Sequence, residues 1–441
     1  MRPYRVLLFI FACLLALGIC CLALPHHVEV GSRTLHWPTL AEVFGEETHP
    51  QPLPEEEGSS DSIPPSIQED EPPVANEEPI DTIVKPKPVV VPVVHVDTTT
   101  DTRRFLSAFY ASLDEADEHT IRVVHYGDSQ IEEDRMTAQI RSHLQDRYGG
   151  SGVGLMPLAQ TIPNRSVHQE LRMNGRVVTP QQGPRRYMVY SFKRDQRADG
   201  LYGPMGQMAV MNDSLVRGSE EITTVCTPLD GRPRYTRWRI FADTAVHYET
   251  SGDTVRLWGK GGVYGLSQES SRGVIVDNIP MRGCLGTVFT RMSADQLTTF
   301  YRQTNTRLII MQFGGNAIPS NQNPGTIQAI VSGLRDQVRY LKRCAPEASI
   351  LFIGPSDMLT TIDGELQTYP MVPYMDRLLR KMANEEEIAY FSLYRWMGGA
   401  GSMKRWQEVG LAGSDGVHFM RSGARKAGNA VAEWLLDGMR E

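Results

Sequence analysis

The sequence is poor in cysteine, and its cysteines do not cluster. Three lie in one apolar run near the N-terminus and three are widely spaced: Cys13, Cys20, Cys21, Cys226, Cys284 and Cys344. There is no Cys-x-x-Cys pair, and these spacings support neither a disulfide framework nor a zinc site. We expect buried small side chains, with one disulfide in an oxidising compartment as the alternative.

An excess of basic residues is also missing. Lys and Arg number 45 against 52 Asp and Glu, which gives a net charge of -7. Proteins that hold nucleic acid neutralise phosphates with clustered Lys and Arg, so we expect no nucleic-acid partner. With 41% hydrophobic and 22% charged residues, the 441-residue chain is typical of a globular protein with more than one domain.

Large apolar side chains are scarce between residues 45 and 100. This segment contains eleven of the 28 prolines, and thirteen acidic residues against two lysines. Such a composition cannot bury enough apolar surface to offset the entropy lost on ordering. We predict a juxtamembrane segment and a disordered linker over residues 26–99.

The linker follows a candidate membrane anchor. Arg2 and Arg5 precede a nineteen-residue apolar run, residues 6–24, which is long enough to cross a bilayer as a helix. Positive charge before the run places the N-terminus in the cytoplasm and the rest of the chain outside. We predict an uncleaved signal anchor in residues 1–25 over a cleaved signal peptide, and a lipoprotein is a further alternative.

Apolar strands alternate with amphipathic helices in two parts of the remaining chain. The first part runs an apolar strand into Gly-Asp-Ser at residues 127–129 and then into a helix whose start includes Ser129. The second part alternates strands and helices from residue 306 to the C-terminus. This alternation predicts an α/β fold with a parallel sheet covered on both faces. Reacting groups in such sheets lie at the carboxyl ends of strands, where Ser129, Asn316 and Ser356 fall.

Short alternating runs separated by Gly, Asp and Asn occupy residues 160–276. We predict a β-sandwich domain, residues 161–276, inserted into an α/β domain of residues 100–160 and 277–441. The aromatic residues of this segment are expected in the sandwich core, with stacking on sugar rings as the alternative: Tyr235, Trp238, Tyr248 and Trp258.

Ser129 is a candidate nucleophile, and Asp415 and His418 are candidate partners. The sequence SDGVHF places the carboxylate three residues before the imidazole, so Asp415 can fix the tautomer while the other nitrogen faces a hydroxyl. Ser129 as an ordinary helix N-cap is the alternative. Three groups are candidate oxyanion donors: the Ser129 backbone N–H at the helix start, the Asn316 amide in FGGNAI and the Gly283 N–H in NIPMRGCLG. Ordinary turns are the alternative for Asn316 and Gly283.

In this order, these residues resemble the SGNH, or GDSL-type, hydrolases. The hallmark Ser, Gly, Asn and Asp-x-x-His blocks of that family match Ser129, Gly283, Asn316 and Asp415 with His418. The resemblance covers about residues 100–160 and 277–441. It implies a flavodoxin-like α/β/α sandwich and ester hydrolysis through an acyl-serine, with no metal or cofactor.

The split of the hydrolase domain by a β-rich, carbohydrate-binding-like segment resembles the peptidoglycan O-acetylesterases. It implies an O-acetyl group on a cell-wall glycan as substrate, and a periplasmic catalytic domain anchored to a bacterial inner membrane. An O-acetyltransferase with the same triad and a tethered non-catalytic glycan-binding protein are the alternatives. The chain departs from related sequences at Gln130, where other polar residues are frequent, and at Ala317, where an acidic residue is frequent.

Overall fold

The computed structural model of the protein describes residues 27–30, 33–36, 101–158, 160, 162–173, 176–177, 188–190, 207–211, 222–229, 235–242, 246–259 and 261–438. The chain divides into two units, Met1–Asp81 and Thr82–Glu441. In the first unit, β1 (His27–Val30) pairs antiparallel with β2 (Arg33–His36), inside the segment predicted as linker. The predicted anchor and most of the predicted linker lie outside the described residues. No helix in the described part of the chain is both long and apolar enough to cross a membrane.

The second unit has strands and helices at its two ends and strands in between. Its strands are, in chain order, β3 (Thr120–Gly127), β4 (Gly154–Met156), β5 (Val167–Met173), β6 (Arg176–Val177), β7 (Met188–Tyr190), β8 (Gln207–Met211), β9 (Ile222–Pro228), β10 (Arg237–Ala242), β11 (Val246–Ser251), β12 (Thr254–Gly259), β13 (Gly261–Glu269), β14 (Gly273–Pro280), β15 (Thr306–Gln312), β16 (Ser349–Gly354), β17 (Leu359–Ile362), β18 (Glu365–Thr368) and β19 (Ala389–Ser392). Its α-helices are α1 (Ser107–Leu113), α2 (Thr137–Tyr148), α3 (Ala294–Gln303), α4 (Pro324–Cys344), α5 (Met371–Glu385), α6 (Leu393–Trp396), α7 (Ser402–Glu408) and α8 (Arg421–Asp437). Short 3-10 turns occupy Thr102–Leu106, Ser129–Asp134, Phe289–Arg291 and Gly315–Ala317.

A five-stranded parallel sheet in the order β14-β3-β15-β16-β19 organises this unit, which confirms the predicted α/β class. Counted along the chain, this is the flavodoxin-like order 2-1-3-4-5. Gly127 at the end of β3 pairs with Pro280 on one side and Gln312 on the other, so three strands end level. The strand order reverses between β3 and β15, and ligands bind at such a switch point.

Helices cover both faces of the parallel sheet. In α4, the buried residues Ile327, Leu334 and Leu341 recur every seven positions. They therefore lie on one face of the helix, and this face packs against the sheet. Together with α3 and α5, α4 covers one face of the sheet, and α1, α2 and α8 cover the other. The strands between them are buried on both sides, and their apolar runs are continuous for that reason.

The intervening strands form two antiparallel five-stranded sheets. One has the order β10-β13-β8-β7 with β4 joined to β13, and the other has the order β11-β12-β9-β5-β6. The predicted boundaries at 160/161 and 276/277 stay predictions; β14, a strand of the parallel sheet, begins at Gly273. Trp238 packs against the apolar clusters of this region as predicted. The prediction of a core position is wrong for Tyr248 and Trp258, which are exposed. Tyr248 lies on the edge strand β11, and Trp258 lies on the face of β12 opposite the buried Val255 and Leu257.

A buried ion cluster connects the antiparallel sheet that contains β10 and β13 to the parallel sheet. Arg122 of β3 donates to both carboxylate oxygens of Asp277 on β14, at 2.6 and 2.8 Å, and also pairs with Glu269 of β13. Glu269 receives two more guanidinium groups, from Arg237 and Arg239 of β10. Burial alone would raise the pKa of Glu269, but the three arginines lower it below its usual value. Removing one partner from such a cluster would leave an uncompensated buried charge.

Candidate active site

Ser129 begins a 3-10 turn directly after the first strand of the parallel sheet. A Cβ at Gly127 would lie 2.9 Å from Cδ1 of Ile131, so a larger residue where β3 runs into this turn would displace the Ile131 side chain. Asp128 is the N-cap, and its carboxylate accepts from the Gln130 N–H at 3.0 Å. The N-cap role considered for Ser129 therefore belongs to Asp128.

The helix expected at Ser129 begins eight residues later, at Thr137. Glu133 and Asp134 have φ angles of 59° and 65°, in the left-handed region, and they separate the turn from α2. Neighbouring side chains hold this break. Asp134 pairs with Arg141 and accepts from the Ser166 hydroxyl at 2.5 Å, and Glu133 pairs with Arg165. The segment before β5 thus braces the turn that carries Ser129.

His418 and Asp415 lie on the loop between α7 and α8. His418 Nε2 is 2.8 Å from Ser129 Oγ, and His418 Nδ1 is 2.7 Å from Asp415 Oδ2. The other carboxylate oxygen of Asp415 accepts from the backbone N–H groups of Val417 and His418, at 2.9 and 3.0 Å. The three residues predicted from the sequence are therefore brought into one hydrogen-bonded chain.

Hydrogen bonds fix the charge of Asp415 and with it the tautomer of His418. Burial alone would raise the pKa of Asp415, but the bonds from the His418 ring and from two backbone N–H groups lower it to about 2. A carboxylate ionised at neutral pH makes Nδ1 the protonated nitrogen and leaves Nε2 free to accept the serine proton. This arrangement activates a serine hydroxyl as a nucleophile.

Asn316 lies beside Ser129 across the switch point. It belongs to the 3-10 turn after β15, which follows Gly314 with its φ of 114°. One N–H of its side-chain amide donates to the Cys284 carbonyl at 3.2 Å, which ties it to the loop after β14. Its remaining N–H makes it a candidate oxyanion donor.

Two cavities meet at Asn316. A small pocket of about 20 Å³ is lined by Ser129, His418, Asn316 and Ser356. An adjoining cleft of about 890 Å³ is lined by Asn316 and Gly283 together with the segment before β5. The structure thus gathers the predicted Ser129, Asn316 and Ser356 in the small pocket and places Gly283, with a φ of 69°, in the cleft beside it.

Asp128 contributes a buried carboxylate to the small pocket. Burial raises its pKa to about 6, against the hydrogen bond from Gln130 N–H and the neighbouring His418, which lower it. It forms no salt bridge with an Arg or Lys of the described residues, although the charge of Arg135 also lowers its pKa. Glu132, three residues after Ser129, contrasts with it, because Arg282 binds Glu132 with two hydrogen bonds of 2.6 and 2.7 Å.

Two residues of this region went unidentified from the sequence. Gln130 and Arg135 both bond to the loop that carries His418. The only sequence signal for Gln130 is that related sequences have other polar residues at this position. Arg135 follows three acidic residues, and nothing in this pattern indicates its role.

No group of three or more His, Cys, Asp or Glu in the described part of the chain could hold a metal ion. Cys226, Cys284 and Cys344 form no disulfide within the described part of the chain.

Comparison with known proteins connects this geometry to a fold. No protein-family model and no curated protein matches the chain. A solved peptidoglycan O-acetylesterase is similar over 79% of this chain and 99% of its own, with a TM-score of 0.59 and 21% identity. The chain has the SGNH-hydrolase fold. Est24, a carbohydrate acetylesterase from Sinorhizobium meliloti, matches 37% of this chain and 79% of its own, with a TM-score of 0.28 and 15% identity. In the SGNH fold of this chain, the serine turn and the asparagine turn flank the switch point of the sheet.

Proposed function

We propose that the protein is a serine esterase that removes O-acetyl groups from a cell-wall glycan, and that this glycan is peptidoglycan. The observation that carries the proposal is the chain of hydrogen bonds from Ser129 through His418 to Asp415, with Asn316 in the same pocket. The likeness to a peptidoglycan O-acetylesterase over nearly the whole length of that protein supports it.

In the proposed reaction, His418 Nε2 takes the Ser129 proton as Oγ attacks the ester carbonyl carbon. The carbonyl oxygen becomes an oxyanion that accepts from the Asn316 amide and from the backbone N–H groups of Ser129 and Gly283. The tetrahedral intermediate collapses to acetyl-serine, and His418 gives its proton to the departing sugar oxygen. Water, deprotonated by His418, then attacks the acetyl-serine, releasing acetate and restoring the serine hydroxyl.

The dimensions of the two cavities support a short acyl group on a large alcohol. A pocket of about 20 Å³ has room for a group about the size of a methyl or a water. The adjoining cleft of about 890 Å³ is large enough for several sugar residues. Amides and hydroxyls such as Gln160, Asn164 and Ser320 line it, and they suit the hydroxyl and acetamido groups of a glycan.

The proposal includes the location of the enzyme. We infer that residues 1–25 anchor the chain in a bacterial inner membrane, that residues 26–99 are a linker, and that the catalytic region lies in the periplasm. Secretion and lipoprotein anchoring are the alternatives. We also propose that the β-rich segment, residues 161–276, contributes to glycan binding; its exposed Trp258 and Tyr248 support this.

The full-length protein should release acetate from p-nitrophenyl acetate and from O-acetylated peptidoglycan, and Ser129→Ala should remove nearly all of both activities. Ser332→Ala, on the exposed face of α4, is the matched control and should keep them. Activity that survives in Ser129→Ala would exclude Ser129 as the nucleophile. Transfer of acetyl groups to an added glycan in place of acetate release would identify an O-acetyltransferase.

A further inference from the structure

The side chain of Gln130 joins the serine turn to the histidine loop. Its amide Nε2 donates to the Val417 carbonyl at 2.6 Å, and its Oε1 accepts from the Phe419 N–H at 3.4 Å. These two backbone groups immediately flank His418. Gln130 itself follows Ser129 in the chain, so one buried amide connects the neighbours of the two reacting residues.

Arg135 forms a second connection. Its guanidinium donates to the Ser129 carbonyl at 2.7 Å and to the Phe419 carbonyl at 3.1 Å. A third bond, from Nε to the Glu132 carbonyl at 3.2 Å, fixes the guanidinium against the turn. The planar fork of Arg holds such pairs of acceptors at a set separation.

The triad residues on the histidine loop depend on connections of this kind because they are not held by burial. The side chains of His418 and Asp415 are 41% and 49% exposed. His418 lies 289 residues after Ser129 in the chain. Tertiary contacts alone therefore set the distance between Ser129 Oγ and His418 Nε2.

We propose that Gln130 is a positioning residue that holds His418 Nε2 at hydrogen-bonding distance from Ser129 Oγ. The inference rests on the proposed function, in which this distance governs proton transfer. Gln130 acts through the backbone on both sides of His418 and takes no part in bond making or breaking. A displacement of about 1 Å can cost about 10²-fold in rate, so loss of the clamp should lower kcat.

The histidine loop keeps other attachments when the Gln130 amide is removed. Phe419 is buried and its ring packs against Trp406, and the Gly413 N–H donates to the His418 carbonyl at 2.8 Å. Ala412 also forms a β-bridge with Phe419. We therefore expect variants of Gln130 to fold, with the loop attached but less exactly registered against the serine.

Gln130→Met keeps the size of the side chain and removes both hydrogen bonds. The matched control is Gln145→Met on α2, which removes a similarly buried amide that donates to the Val274 and Gly152 carbonyls, away from the histidine loop. For p-nitrophenyl acetate, we expect kcat of Gln130→Met to fall by about 10- to 100-fold with KM changed less than about two-fold. Gln145→Met should keep kcat.

Labelling of Ser129 by a fluorophosphonate gives a second readout that needs no turnover of an ester. Ser129 Oγ displaces fluoride from phosphorus as His418 takes the serine proton, so the rate reports the same alignment. We expect labelling of Gln130→Met to slow by a similar factor. If the wild-type protein is labelled but hydrolyses no ester, the proposed function fails and the labelling rates alone decide the role of Gln130.

Equal kcat and labelling rates in Gln130→Met and wild type would overturn the inference. An equal fall in the two methionine variants would also overturn it, since that loss would be a general structural effect. If Gln130→Met does not fold, Gln130→Glu replaces it. That variant keeps the acceptor for the Phe419 N–H and sets a carboxylate against the Val417 carbonyl, and it should show the same loss of kcat.

Discussion

The small pocket at Ser129 and the cleft beside it differ in whether their carboxylates are paired with arginines. In the cleft, the lining residues Glu132 and Arg282 are paired with each other, and the lining residue Arg141 is paired with the buried Asp134. In the small pocket, Asp128 is buried without a salt bridge in the described part of the chain, and burial raises its pKa to about 6. The small pocket, where the chemistry is proposed, therefore contains a carboxylate whose ionised form is destabilised by burial. The charged groups of the cleft are neutralised in ion pairs.

This difference separates two tasks. Residues that shape the small pocket should affect every ester equally, because each acyl group must enter it. Residues that line only the cleft should affect large substrates and leave small esters alone. A neutralised surface with amide and hydroxyl groups suits the uncharged hydroxyl and acetamido groups of a glycan strand.

The largest effect is expected at Asp415. Asp415→Asn removes the ionised acceptor that keeps the Nδ1 proton in place, and the other tautomer leaves Nε2 unable to accept the serine proton. We expect kcat to fall by about 10³- to 10⁴-fold for both p-nitrophenyl acetate and O-acetylated peptidoglycan.

Asp363→Asn, in the exposed turn between β17 and β18, makes the same change of charge and should keep both activities. A loss of less than tenfold in Asp415→Asn would show that groups other than this carboxylate orient His418. A loss confined to one substrate would contradict the assignment of Asp415 to the chemistry that all esters share.

The second-largest effect is expected from a substitution in the cleft, which should distinguish the role of the cleft from that of the small pocket. Ser320 is exposed and lines the cleft but not the small pocket. Ser320→Trp should obstruct a glycan and lower kcat/KM for O-acetylated peptidoglycan by about 10-fold or more, a loss of about 1.4 kcal/mol in transition-state binding. Hydrolysis of p-nitrophenyl acetate should change less than two-fold, as should both activities of the control Ser332→Trp. Equal losses on the two substrates would remove the distinction between pocket and cleft.

Asp128 offers a test through stability. Its pKa of about 6 in the folded protein lies above the usual 3.8, so the ionised carboxylate destabilises the fold above pH 6, and this penalty disappears as the pH falls toward 4. Asp128→Asn keeps an N-cap acceptor and removes the charge. We expect it to raise the free energy of unfolding by on the order of 2 kcal/mol at pH 8, and by little at pH 4.

Chemical denaturation at the two pH values measures this difference, with Asp363→Asn as the control for charge removal. A variant less stable than wild type at pH 8 would mean that the carboxylate makes favourable interactions that outweigh its burial. The contrast with the paired carboxylates of the cleft would then disappear.

Local patterns in the sequence predicted the parallel sheet. The candidate triad was predicted from the order of the Ser129, Gly283, Asn316 and Asp415–His418 blocks along the chain and their resemblance to the SGNH hydrolases. Continuous apolar runs identify strands buried on both faces, and the Asp-x-x-His spacing of Asp415 and His418 is a local geometry. The positions of Ser129 and Asn316 at strand ends then follow from the parallel arrangement.

Features set by distant contacts were not predictable in this way. The break at Glu133 and Asp134 depends on partners such as Arg165, more than thirty residues later. The contacts of Gln130 and Arg135 join segments nearly 290 residues apart. Nothing in the local pattern of either segment encodes such a pairing, and the exposure of Trp258 likewise depends on which face of β12 packs inward.

The smallest effect is expected at Trp258, which tests whether glycan recognition extends beyond the cleft. Its side chain is 36% exposed on β12, beside the His247 ring on the neighbouring edge strand. If the β-rich segment binds glycan, Trp258→Ala should weaken binding of the full-length protein to insoluble peptidoglycan by about three- to tenfold, about 1 kcal/mol for an exposed aromatic contact. Hydrolysis of p-nitrophenyl acetate should be unchanged.

Leu229→Ala, at another exposed apolar side chain of the same region, is the control and should bind normally. Unaltered binding by Trp258→Ala would confine recognition to the cleft, because the alanine removes the flat apolar surface on which a sugar ring would stack.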